Sequence, residues 1–202
     1  MTDQTKPWRL LHTGRRFNLT EPTFPEGDTA LMIEVLIPTL ATPRFGGHTP
    51  YYTCGHHALL VHWLAVLDGA GPLVQFAALV HDLHEAYTGD ISGPVKKMFP
   101  DIKSFENEVQ FPFLWALGFD GPSGQAVPAL AAVKEYDKEA EQIERDAFLP
   151  DHPDWPKQGG GRLAKELVKK DQEATARKIL GAFVHLKQQM GWASDLKADP
   201  VV

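Results

Sequence analysis

An apolar segment at residues 73–79 runs directly into a dense group of ionisable side chains at residues 81–96. The segment is typical of a buried helix, and the group that follows it contains two histidines, three carboxylates and a lysine. Ionisable groups beside a protein core are stable only when they are paired or bind a ligand. The sequence therefore predicts a core helix that ends at a functional site.

The rest of the chain has the periodicity of helices separated by proline- and glycine-rich turns. Convincing β-type alternation is missing, so we expect an all-α fold, in which residues 1–202 form a single domain and a bundle of six to seven helices. Residues 1–27 are predicted to form an irregular arm, and residues 149–161 a loop. The predicted helices cover residues 30–37, 52–67, 73–87, 95–99, 103–117, 126–147 and 162–192.

Composition narrows the classes of partner. The chain has 202 residues and a net charge of −6, which disfavours binding to long nucleic acid. Its apolar runs are too short for a signal peptide or a membrane span, and a single cysteine, Cys54, fits a reducing compartment. We therefore expect a cytoplasmic protein that does not interact with a membrane.

The adjacent pair His81-Asp82 has the residue types of a divalent metal site, but such a site needs ligands from other parts of the chain. Two positions on predicted helices offer them. One is His56 or His57, before the pair, and the other is Asp137, after it. Spacing alone does not choose between the two neighbouring histidines.

Several short segments resemble the HD-domain phosphohydrolase superfamily, in particular its small nucleotide-hydrolysing branch. That branch includes bacterial 5′-deoxynucleotidases and phage dATP triphosphohydrolases. The most specific match is the run from His81 to Ile91, which reads HDLHEAYTGDI. The other matching segments are residues 14–15, 44–48, 52–57, 94–96 and 133–137.

The resemblance implies an HD-domain fold and one divalent metal ion, which would be Mn, Co, Zn, Mg or Fe. It implies that the ion is held by His57, His81, Asp82 and Asp137. It also gives Glu85 the role of a general acid or base that moves a proton during catalysis.

Further residues in the matching segments are expected on the phosphate side of the site. Asp90 is a second candidate catalytic residue, which either orients Lys96 or the attacking water or simply belongs to a turn. Positive charge around a phosphate would come from four residues, of which arginine gives the best bidentate grip. These candidates are Arg15, Arg44, His48 and Lys96.

The function implied by the resemblance is metal-dependent hydrolysis of deoxynucleotides. The substrate would be either a 5′-monophosphate or a triphosphate, because both reactions use the same metal ligands. The alternatives are a phosphodiesterase acting on a cyclic or modified nucleotide and a non-catalytic module that binds nucleotide. We also expect a homo-oligomer, a dimer or larger.

Overall fold

The computed structural model describes residues 6–49, 51–119 and 126–196. Most of these residues are helical, which confirms the all-α class. No helix within the described ranges combines the length and apolar character needed to cross a membrane. The helices are α1 (Asp28–Ala41), α2 (Cys54–Leu67), α3 (Pro72–Val80), α4 (Glu85–Thr88), α5 (Gly93–Met98), α6 (Asp101–Ala116), α7 (Ala126–Phe148), α8 (Arg162–Val168) and α9 (Gln172–Gln189).

Helix α2 lies at the centre of the bundle, where it contacts α1, α3, α7, α8 and α9. Its residues 54–62 are all buried. Thr53 caps its N terminus, and the side chain of His56 turns back to the Thr53 backbone to complete a capping box. His57, the next residue, is fully buried and points into the interior.

The helix predicted at residues 73–87 is wrong at residues 81–84, where the chain is not helical. Helix α3 ends at Val80, and a tight turn at residues 81–84 leads into the short helix α4. Two imidazoles explain the break, because Nδ1 of His81 lies 2.9 Å from the carbonyl oxygen of Ala78, and Nδ1 of His84 lies 3.0 Å from that of His81. These side-chain bonds to carbonyl groups compete with the helical pattern.

The single C-terminal helix predicted at residues 162–192 is also wrong, because the chain is divided into α8 and α9. The Asp171 side chain accepts a hydrogen bond from the Ala174 backbone N–H at 2.6 Å, which caps α9. An aspartate at this position favours the start of a helix over its interior. Residues 149–161, which the sequence analysis assigned to a loop, contain no helix or strand, apart from an isolated β-bridge between His152 and Trp155.

The N-terminal arm contains a small hairpin that the sequence did not predict. Strand β1 (Trp8–Leu10) pairs antiparallel with β2 (Arg16–Asn18). Phe17 of β2 is fully buried and stacks on the ring of Tyr87, with 4.4 Å between centroids. Three-residue strands are too short to give a recognisable alternation, so only packing reveals the hairpin.

Candidate metal centre and adjoining cleft

Four side chains from separate parts of the bundle meet at one point. His57 comes from α2, His81 and Asp82 follow α3, and Asp137 comes from α7. One ligand atom from each residue lies within 4.8 Å of all the others. We call these four residues the metal group, because two imidazoles and two carboxylates in this arrangement could hold a metal ion.

The distances within the metal group join nitrogen atoms to carboxylate oxygens. Nε2 of His57 lies 3.1 Å from Oδ1 of Asp137 and 3.6 Å from Oδ2 of Asp82. Nε2 of His81 lies 3.3 Å from the same Asp82 oxygen. Both Nε2 atoms are buried and lack a well-formed hydrogen bond among the described residues. Buried ring nitrogens without a hydrogen bond are what a metal ion would satisfy.

The hydrogen bond formed by Nδ1 of each histidine orients the ring so that Nε2 faces the other members of the metal group. Nδ1 of His57 lies 2.7 Å from Oε1 of Glu144, and Nδ1 of His81 lies 2.9 Å from the carbonyl oxygen of Ala78. Since both partners are acceptors, each Nδ1 carries the proton and donates it. Each Nε2 of a neutral ring is then left with a lone pair, as in histidines that bind metals.

The charges around the group also suit a cation. Burial and the nearby Arg44 oppose a proton on His57, yet Glu144 and Asp137 raise its pKa to about 9. Burial likewise opposes ionisation of Asp82, yet the His81 imidazole lowers its pKa well below the usual value. Without a metal, the carboxylates are therefore ionised and favour protons on the histidines. A metal ion would compete with those protons for the same nitrogen atoms.

His56 does not belong to the metal group. Its Nδ1 accepts a hydrogen bond from the Thr53 backbone N–H at 3.2 Å, and its ring stacks on Tyr52. Burial lowers its pKa to about 4, so the ring is neutral near pH 7. Of the two neighbouring histidines, the capping interaction holds one at the helix terminus and leaves the other, His57, to reach the metal group.

Glu85, the predicted proton carrier, is buried at the start of α4. Its Oε2 accepts a hydrogen bond from the thiol of Cys54 at 3.2 Å. Burial, with the negative charges of Asp82 and Asp90, raises the pKa of Glu85 to about 8. The carboxyl therefore carries a proton at neutral pH, which is unusual for glutamate and typical of a functional site.

The residues predicted to bind phosphate are mostly engaged with carboxylates of the protein. Arg15 donates hydrogen bonds to the Glu34 carboxylate from its Nε–H and from one Nη–H. Oε1 of Glu34 also accepts a hydrogen bond from the Tyr87 hydroxyl, with 2.8 Å between the oxygens. Nζ of Lys96 lies 2.7 Å from Oε1 of Glu106.

Arg44 is nearly buried and lies between two carboxylates. Its guanidinium nitrogens are 3.4 Å from Oδ1 of Asp90 and 3.6 Å from Oε2 of Glu144. Asp90 thus pairs with Arg44, whereas Lys96, which the sequence offered as its partner, pairs elsewhere. His48 is exposed, next to the one-turn 3₁₀ helix Phe45–Gly47.

Glu144 is a residue that the sequence reading missed. It is fully buried and accepts hydrogen bonds from the His57 ring and from the Tyr52 hydroxyl, the latter at 2.9 Å. It lies seven residues after Asp137 in α7, so both carboxylates project from one face of the helix. That spacing was a usable signal in the sequence.

A cleft of about 400 Å³ opens beside the metal group, within the range of about 300–1,000 Å³ that is usual for small-molecule sites. His81, Asp82 and Asp137 form part of its wall. The rest of the wall comes from α7, which carries Asp137, and from α6, which the sequence did not connect with the site. These residues are Lys103, Asn107, Gln110, Phe111, Val127, Leu130, Ala131, Val133 and Lys134.

The chain is similar to a known protein over part of its length. No family model matches the chain. The chain is 39% identical over 67 residues to the uncharacterized protein YfdR of Escherichia coli, and this region is 33% of the chain and 35% of YfdR. The similarity thus spans about a third of that relative, whose name states no activity. A function has to be inferred from the site.

Proposed function

We propose that this protein is a metal-dependent phosphohydrolase that acts on deoxynucleotides, either 5′-monophosphates or triphosphates. The observation that supports it is the convergence of His57, His81, Asp82 and Asp137 within 4.8 Å at the wall of a cleft. The resemblance of the same residues to HD-domain phosphohydrolases supports the choice of phosphate chemistry. The buried, protonated Glu85 favours catalysis over simple nucleotide binding.

The metal group would hold one divalent ion through two nitrogen and two oxygen atoms. When bound, such an ion supplies a water of lowered pKa and positive charge against the phosphoryl oxygens. Glu144 and the Ala78 carbonyl keep the two histidines in the orientation that this requires, by accepting their Nδ1 protons. The donor set does not select one ion among Mn, Co, Zn, Mg and Fe.

Glu85 would act as the general acid in this mechanism. Its Oε2 is occupied by the Cys54 thiol, so we assign the proton to Oε1. A carboxyl with a pKa of about 8 holds this proton at neutral pH and can transfer it to the leaving oxygen. Asp90 contributes by its negative charge, which helps to keep Glu85 protonated, and by its pairing with Arg44.

The test is a hydrolysis assay with each of the five metal ions and a panel of deoxynucleoside mono- and triphosphates and cyclic nucleotides. Asp82→Ala should lose both bound metal and turnover, while the exposed Asp154→Ala serves as a matched control. Full activity of Asp82→Ala would eliminate the metal mechanism. Turnover of cyclic nucleotides alone would instead establish the phosphodiesterase alternative.

Two further proposals concern the location of the protein, which we expect to be the cytoplasm, and its oligomeric state. The single cysteine, Cys54, is buried, which is compatible with the reducing conditions of the cytoplasm. We also propose a homo-oligomer, a dimer or larger, and light scattering of the purified protein would measure its mass in solution.

A further inference from the structure

The positive charge available to a substrate differs from what the sequence suggested. Arg15, Arg44 and Lys96 each lie against a buried or half-buried carboxylate of the protein. Withdrawing such a cation to bind a substrate would leave that carboxylate uncompensated, which is strongly unfavourable. The lysines that line the cleft are therefore better placed to bind an anionic ligand.

Lys134 is the clearest of these cations. It precedes Asp137 by three residues in α7, so the two side chains lie on one face of the helix, a single turn apart. It is exposed, lines the cleft and forms no ion pair with any other described residue. Its ammonium group is thus free to bind an anion next to the metal group.

Lys103 lines the same cleft from α6. Its Nζ is 3.9 Å from Oε2 of Glu106, at the limit of an ion pair, and its side chain is 64% exposed. Glu106 has a shorter contact with Lys96, at 2.7 Å. The charge of Lys103 is therefore only weakly compensated within the protein.

The part of the cleft farther from the metal group along α7 is apolar. Ala131, Leu130 and Val127 precede Lys134 along α7 and line the cleft. From Asp137 to Val127 the helix rises roughly 15 Å. Along α7 the cleft thus presents first a metal ligand, then a lysine and then apolar side chains. This order suits a ligand in which a chain of phosphates is attached to a nucleoside.

We propose that Lys134 and Lys103 bind the substrate phosphates that lie beyond the one at the metal group, so that a deoxynucleoside triphosphate is preferred to a monophosphate. This inference rests on the proposed function and specifies its substrate. The metal ion and the carboxylates Asp82 and Asp137 balance in formal charge. The ion would bind the phosphate that reacts, and the additional phosphates of a triphosphate would extend along the cleft, which Lys134 and Lys103 line.

The experiment compares KM and kcat for a deoxynucleoside triphosphate and the matching monophosphate in wild type, Lys134→Ala, Lys103→Ala and the double variant. Removing each lysine should raise KM for the triphosphate about tenfold, because a hydrogen bond from a charged donor is lost. The KM for the monophosphate should change much less. Lys138→Ala is the matched control, since Lys138 is an exposed lysine of α7 that lies outside the cleft and pairs with Glu135.

Equal changes in KM for both substrates, or a wild-type preference for the monophosphate, would overturn the inference while leaving a phosphohydrolase in place. Failure of the proposed function has a different signature, namely no hydrolysis of any nucleotide with any metal. In that case, calorimetric binding of both nucleotides to Glu85→Gln protein with Mn²⁺ still tests the lysines. Tighter triphosphate binding that weakens in the lysine variants supports their role, and equal binding of both nucleotides refutes it.

Discussion

Replacing Glu144 tests whether the metal group depends on a buried carboxylate that does not itself belong to the group. Oε1 of Glu144 is 2.7 Å from Nδ1 of His57 and 2.9 Å from the Tyr52 hydroxyl, while Oε2 is 3.6 Å from the Arg44 guanidinium. In Glu144→Gln the amide oxygen can still accept the His57 proton. Its NH₂ group then faces Arg44, where a carboxylate oxygen is required.

The expected magnitudes differ between two substitutions at this position. Glu144→Gln should weaken metal binding about 10- to 100-fold, which is typical when the residue that orients a metal-binding histidine is altered. Glu144→Ala leaves the protons of His57 and Tyr52 without an acceptor and deprives Arg44 of a carboxylate. Breaking such a buried pair should lower the free energy of unfolding by about 3–5 kcal/mol.

Metal affinity would be measured by calorimetry, and the free energy of unfolding by urea denaturation of the metal-free protein. Glu139→Gln, an exposed position of α7, is the matched control for both measurements. The reasoning is refuted if Glu144→Gln binds metal as wild type does while Glu144→Ala keeps wild-type stability. A loss of stability without a loss of metal affinity would show that Glu144 is structural only.

Three further substitutions have defined outcomes. Wild-type activity should fall as the pH rises through about 8, because Glu85 loses its proton at that raised pKa. Glu85→Gln should be roughly 10²–10⁴ times slower, and its pH–rate profile should not show this decrease. Lys187→Met removes the ammonium group that lies 2.7 Å from the buried Asp28 carboxylate. Chemical denaturation should therefore show a free energy of unfolding that is lower by about 3–5 kcal/mol. The second substitution Asp28→Asn should restore most of that free energy, because it removes the unpaired charge. Gly161→Ala would place Cβ 2.6 Å from the Ala147 backbone, so its melting temperature should fall, whereas Gly181→Ala, which meets nothing within 4 Å, is the control.

The sequence contained enough local information to predict much of the helical framework. Apolar periodicity and glycine or proline breakers indicated the long helices, but the interruptions at residues 81–84 and 169–171 and the continuation of α1 past Pro38 were missed. Both interruptions arise from a side chain that bonds to nearby backbone, at His81 and at Asp171. Such bonds compete with helix formation over a few residues and leave the periodicity of the sequence almost unchanged.

The sequence also predicted which four residues converge in the metal group, because His81 and Asp82 are adjacent and their resemblance to a known pattern includes His57 and Asp137. The carboxylate with which each arginine or lysine forms an ion pair could be seen only in the folded structure. Arg15 and Arg44 lie beside carboxylates that are distant in the chain, whereas Lys134 lines the cleft and has no such partner in the part of the chain that the structure describes. The physical reason is that these ion pairs join segments that meet only in the folded chain, whereas the sequence indicates directly only contacts between near neighbours, such as residues three or four apart in one helix.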